Sequence, residues 1–270
     1  AGQRVQRMIL STVAQAVSNL RPVLNNGFEG VQKGAPSLAY ARSLYMKMLR
    51  TENMYNADNN LNYVKKGGQY FAPNAYIVSR GSLGAIDSNW RDDDNAMAGS
   101  MFGAELSATI TASQLFPGAA VGMQHTFIFV DVWEGSNGDI HSRVPMCRFV
   151  FKDNTTPALV AEGAAGFKLN PAALDLDYSA GYNNLLFMVD GGTVMVTWRG
   201  SENEPVGGAY ILSTKDGSRR SSSIMVINES AIRANGVWSP DVVVESYEDG
   251  GVDTGAPAEY LLDDNPGGSF

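Results

Sequence analysis

Two histidines and one cysteine are all that 270 residues supply of the side chains most used as general bases, thiol nucleophiles and soft metal ligands. With Cys147 alone, an intrachain disulfide and a multi-cysteine zinc site are both excluded. The residue sits in the strand-like run RVPMCRFVF, which predicts a buried, unreactive thiol. No stretch reaches the roughly 18 to 20 uninterrupted apolar residues of a membrane span. The first residues, AGQRVQRMILSTVAQAV, lack the apolar run and cleavage site of a signal peptide, so neither an anchored nor a classically secreted product is expected. A start at Ala1 is expected from methionine removal or from release from a precursor.

Phosphate-binding loops are missing too. There is no Gly-x-x-x-x-Gly-Lys-Ser/Thr element, and the glycine pairs at 118 and 122 or 163 and 166 do not form Gly-x-Gly-x-x-Gly between a strand and a helix. No Gly-x-Ser-x-Gly elbow presents a serine nucleophile. No cofactor is therefore expected.

The motifs that are present have simpler readings. Asp253-Thr254-Gly255 resembles the signature of aspartic proteases, whose chemistry needs two carboxylates sharing a proton. A second copy of the motif is absent and only 15 residues follow Gly255, so a turn is expected. The only histidines able to serve as a base are His125 and His141; His141 lies two residues after Asp139, but alternation makes such neighbours routine in a strand. Asp92, Asp93, Asp94 and Asn95 offer oxygen ligands without EF-hand spacing, which predicts a solvated turn. Phe127 and Phe129, like Phe149 and Phe151, are two apart and share a sheet face, as a core requires; Trp133, Phe187 and Trp198 are read with them. Asn154-Thr155-Thr156 and Asn228-Glu229-Ser230 match the glycosylation acceptor pattern, without a secretory signal to give it meaning.

Charge is distributed unevenly. Residues 1 to 80 carry 10 bases against Glu29, Glu52 and Asp58, whereas residues 241 to 270 carry 8 acids and no base; the whole chain has a net charge of −8. Such asymmetry suggests interaction arms, with the basic front suited to nucleic acid or another acidic surface.

Periodicity divides the chain into a helical basic arm (1–67), an antiparallel β-sandwich body (68–248) and an acidic Gly/Pro-rich tail (249–270). Val5, Ile9, Val13, Val17 and Leu20 form one helical stripe, with Arg21-Pro22 as its predicted stop. Pro36-Ser37 opens a second amphipathic helix through Ala41, Leu44, Tyr45, Met48 and Leu49. Thereafter β-branched and aromatic runs alternate with turn chemistry. Hairpins are predicted across residues 135–139, at Gly191-Gly192 and at Asp216-Gly217, with further strands at 70–79, 104–113 and 241–247. Nine or ten strands without intervening helices predict a mainly β, jelly-roll-like sandwich.

With function placed in surfaces, the expectation is a non-enzymatic, self-assembling structural protein. A viral or phage coat subunit assembled in the host cytoplasm, partnered by its own copies and other virion proteins, fits best, with nucleic acid as a further partner. The residues expected at inter-subunit or genome contacts are Arg4, Arg7, Arg42, Lys47 and Arg50 of the arm. Asp249, Asp253, Asp263 and Asp264 of the tail, expected to pack on its own β body or a neighbour's basic surface, complete the set. A carbohydrate-binding or adhesin module, a phage tail or adaptor component and a hydrolase centred on His125, His141 or Asp92 to Asp94 are the rival expectations.

Overall fold

The computed structural model describes residues 3–58, 74–86, 89–91, 94–103, 105–134, 136, 140–163, 166–199 and 205–227. Its helices are α1 (Gln3–Asn19), α2 (Arg21–Leu24), α3 (Ala35–Asp58) and α4 (Ala112–Leu115). The strands run β1 (Asn74–Ser79), β2 (Asn89–Arg91), β3 (Ala96–Ala98), β4 (Gln124–Glu134), β5 (Ile140–Arg143) and β6 (Met146–Val150). They continue with β7 (Leu159–Ala161), β8 (Phe167–Leu169), β9 (Leu185–Asp190), β10 (Thr193–Trp198), β11 (Gly207–Ser213) and β12 (Ser223–Ile227). The protein is thus mainly β, and every pairing between these strands is antiparallel.

The first sheet has the order β1-β12-β11-β4-β5, with β6 also on β4. Register explains the double partner. Asp131 faces Arg143 in β5 and Ile128 faces Met146 in β6, so β5 and β6 continue one alignment along β4. Pro145 sits between them, without an N–H to donate to the ladder, while its carbonyl still accepts from Phe129 N at 3.0 Å. The second sheet has the order β2-β3-β10-β9-β8-β7.

Alternation then divides the first sheet's side chains between two cores. Phe127 and Phe129 of β4, Cys147 and Phe149 of β6 and Tyr210 of β11 meet Phe187, Val194 and Val196 of the second sheet. The residues between them, Ile128, Val130, Ala209 and Ile211, join Met225 and Ile227 of β12 against Val13 and Val17 of α1, Leu20 just after it, and Tyr45 and Leu49 of α3. Helices, first sheet and second sheet make three layers. β11 approaches the second sheet closely because it carries glycine there: a Cβ on Gly208 would lie 2.9 Å from Met97 Sδ and 3.2 Å from Trp90.

Local chemistry sets the element ends. Pro22 lies at the start of α2, after α1 has ended at Asn19. At that position its missing N–H has no helical partner to lose, so the proline begins a turn as well as preventing continuation. Ser37 Oγ donates to Leu24 O and Tyr45 OH donates to Ile77 O at 3.0 Å, tying α3 to α2 and to β1. The turn between β9 and β10 has Gly191 and Gly192 at φ 52° and 80°, as a two-residue hairpin requires. The strand predicted for residues 104–113 does not form. Its last residues instead enter α4, where Thr111 and Gln114 build a reciprocal capping box that favours a helical turn over extension. The strand predicted at 241–247 and the acidic tail lie outside the described residues.

Because the first sheet is the wall of both cores, truncation on either face should unfold the whole. Phe127→Ala is expected to cost about 3 to 5 kcal/mol and Ile128→Ala about 2 to 5 kcal/mol. Urea unfolding checks this; a loss below about 1 kcal/mol from either would contradict the packing described.

Candidate functional site

The sequence's catalytic candidates separate in the structure. His125 is buried, its Nδ1 is 2.8 Å from Tyr210 OH, and its ring stacks on Phe149 with centroids 4.9 Å apart. Burial alone pulls its pKa down to about 3, so at neutral pH it is an uncharged core residue. His141 is exposed and stacks on Trp133, its cross-strand neighbour, at 5.5 Å. Arg143 lies 5.8 Å from the same indole and forms a 2.7 Å ion pair with the buried Asp131. Asp139, two residues before His141, lies outside the described residues. The Cys147 thiol is buried and pushed well above its ordinary range, the inert state expected of it.

Asp94 pairs with Arg91 at 3.2 Å, while Asp92 and Asp93 fall outside the described residues. Among the described residues, no group of three or more His, Cys, Asp or Glu side chains is placed to hold a metal ion. Asn154 Oδ1 accepts from Ser113 N at 2.9 Å, and Asn228 is not described. The phenylalanines at 127, 129, 149, 151 and 187 are core, and Trp90 and Trp198 pack half-buried against Phe129.

Charge draws attention to the helical layer. Arg42, Lys47 and Arg50 of α3 are exposed, as are Arg21 and Lys33. Arg4 and Arg7 lie on α1, whereas Asp249, Asp253, Asp263 and Asp264 lie outside the described residues. Glu29, the acid between α2 and α3, accepts from Arg220 N at 2.5 Å. Hydrogen bonds from Ser82 and Arg220 hold its carboxyl below the usual range. Among the described residues no helix is long and apolar enough to cross a membrane.

Sequence reasoning missed a second cationic feature. A cleft of about 200 Å³ opens where α2 ends over the first sheet, lined by Gln124 and Thr126 of β4, Arg148 of β6, Ser213 of β11, Lys215 and Arg220. Arg148 Nη2 donates to Pro22 O at 3.1 Å and Arg220 Nη2 to Gly217 O at 2.8 Å. The run SRRSSS around Arg220 reads locally only as a turn, and Arg148 reads as one alternating residue of a strand, so nothing in either segment signals their convergence.

Comparisons with protein-family models, with curated proteins and with solved structures give no match.

The buried histidine makes stability depend on pH in a fixed direction. Below about 6.5 the unfolded chain takes up a proton that the folded state, with its His125 value of about 3, refuses. Stability is therefore complete above pH 6.5 and falls by about 1.4 kcal/mol per unit as pH drops toward 3. Urea unfolding at pH 7 and pH 4.5, with the His125 ring followed by NMR, checks this. A flat stability profile, or a ring already charged at pH 4.5, would contradict the burial.

Proposed function

We propose that the chain is a self-assembling structural protein, most specifically a coat subunit of a viral or phage particle. In this reading the body is a jelly-roll-like sandwich, its described first and last strands paired as β1 and β12, with β3 beside β10. The N-terminal helices are a docking layer on that body. Charge segregation carries the proposal: exposed Arg21, Lys33, Arg42, Lys47 and Arg50 share one layer, whereas residues 241 to 270 hold 8 acids and no base. Unlike charge on separate parts of one chain favours head-to-tail association, which closes into rings or shells when the geometry permits. Asp249, Asp253, Asp263 and Asp264 would meet the helical layer of a neighbour, and Arg4 and Arg7 would face the same acidic partner or a genome.

Two exposed apolar side chains on β12, Ile224 and Val226, also support a role in surface contacts. A glycan-binding reading has less support, because Trp90, Trp133 and Trp198 are each partly covered by their own fold.

Light scattering of the full chain at low salt and at about 1 M salt, where screening acts within about 3 Å, tests the proposal. Species many times the 28.9 kDa of one chain are expected at low salt. They should shrink at high salt and on deletion of residues 250–270. A 28.9 kDa monomer throughout, or assembly indifferent to both changes, would overturn it.

A further inference from the structure

The face of the first sheet that lies under the helices changes character along its strands. On β4, Val130 and Ile128 are followed on the same face by Thr126 and Gln124. On β11, Ala209 and Ile211 are followed by Ser213, and on β6 Met146 is followed by Arg148. Register aligns these changes: Thr126 is opposite both Arg148 and Ile211, and Gln124 is opposite Ser213. The three strands thus turn polar over two successive levels, Thr126 with Arg148 and then Gln124 with Ser213, where Pro22 and Val23 of α2 form the wall of the cleft.

Arg220 completes it from the turn after β11. The residue is only 7 % exposed, yet neither its guanidinium nor that of Arg148 forms an ion pair within 4 Å among the described residues. Each of the two spends one N–H on a backbone carbonyl, leaving four of a guanidinium's five donors. Glu29, the nearest acid by its effect on Arg220, binds the backbone N–H groups of Ser82 and Arg220 instead. Asp216, the carboxylate in the lining, is occupied by Thr214 and Ser218. Burial lowers the Arg220 pKa; Glu29 opposes that change and the like charge of Arg148 adds to it.

Glu29 and Gly217 O offset part of the Arg220 charge, but the like charge of Arg148 beside it in the same cleft favours an anion placed between the two guanidiniums. We propose that this cleft binds a phosphate group, held by Arg148 and Arg220 and oriented by Gln124, Thr126 and Ser213. Donors arrive from three strands and a turn, which suits the acceptors of a tetrahedral oxyanion better than the single plane of a carboxylate. About 200 Å³ leaves room for the first atoms of an ester beside the phosphate. Free phosphate and a small phosphate monoester present the same chemistry. The site is independent of the assembly proposal, since a monomer would bind as an assembly does.

Calorimetric titration and thermal unfolding of the full chain with inorganic phosphate and with ribose 5-phosphate, against chloride at matched ionic strength, test it. Saturable binding of one phosphate per chain and a rising Tm are expected. At least tenfold weaker binding is expected for Arg148→Gln, with Thr126→Val as a milder second variant that retains the strand's shape. Tighter binding of the sugar phosphate would identify an ester as the ligand, and equal or weaker binding the free anion. No saturable effect beyond chloride, or unchanged binding by both folded variants, would overturn the assignment.

Discussion

Burial of β4 and β11 on both faces is the constraint on which the rest of the structure depends. A strand with one wet face alternates apolar and polar residues; these two alternate aromatic with aliphatic or small residues instead. Phe127, Phe129 and Tyr210 fill the space toward the second sheet, while Ile128, Val130, Ala209 and Ile211 receive the helices. Neither neighbouring layer can be removed without exposing one of those sets to water. The helices are for this reason part of the core, although their exposed side carries the chain's basic charge.

The same constraint determines where polar chemistry can collect. Where α2 meets the first sheet, the inner positions of its strands become Gln124, Thr126, Arg148 and Ser213. Arg220 is brought there by the turn that Asp216 organises through Thr214 and Ser218. At the opposite end of β4, Asp131, Trp133, His141 and Arg143 form a cross-strand group in which ion pairing and stacking occupy each side chain. The difference between the two ends is that Arg143 of one has a carboxylate partner, whereas Arg148 and Arg220 of the other have none within 4 Å among the described residues.

Local signals in the sequence were reliable where the physics is local. Gly191-Gly192 specifies its hairpin because both glycines accept positive φ, and the paired phenylalanines at 127 and 129 specify a buried face by spacing alone. Residues 104–113 misled because a β-branched composition competes with a four-residue capping box that is legible only once Thr111 and Gln114 are read together. The division of strands between sheets was not legible, since it depends on which distant strands pair. The arginine cleft was hidden for the same reason: its two guanidiniums belong to separate strands and turns, and neither segment is unusual by itself.

Native-state hydrogen exchange tests most directly whether the first sheet is a wall common to both cores. The amides of residues 127–130 and 209–211 should exchange only through global unfolding, with those of the buried turns of α1 and α3 at the same free energy. Helical amides that open at a much lower free energy while the first sheet stays protected would contradict the account. They would make the helices a detachable arm rather than a layer of the fold.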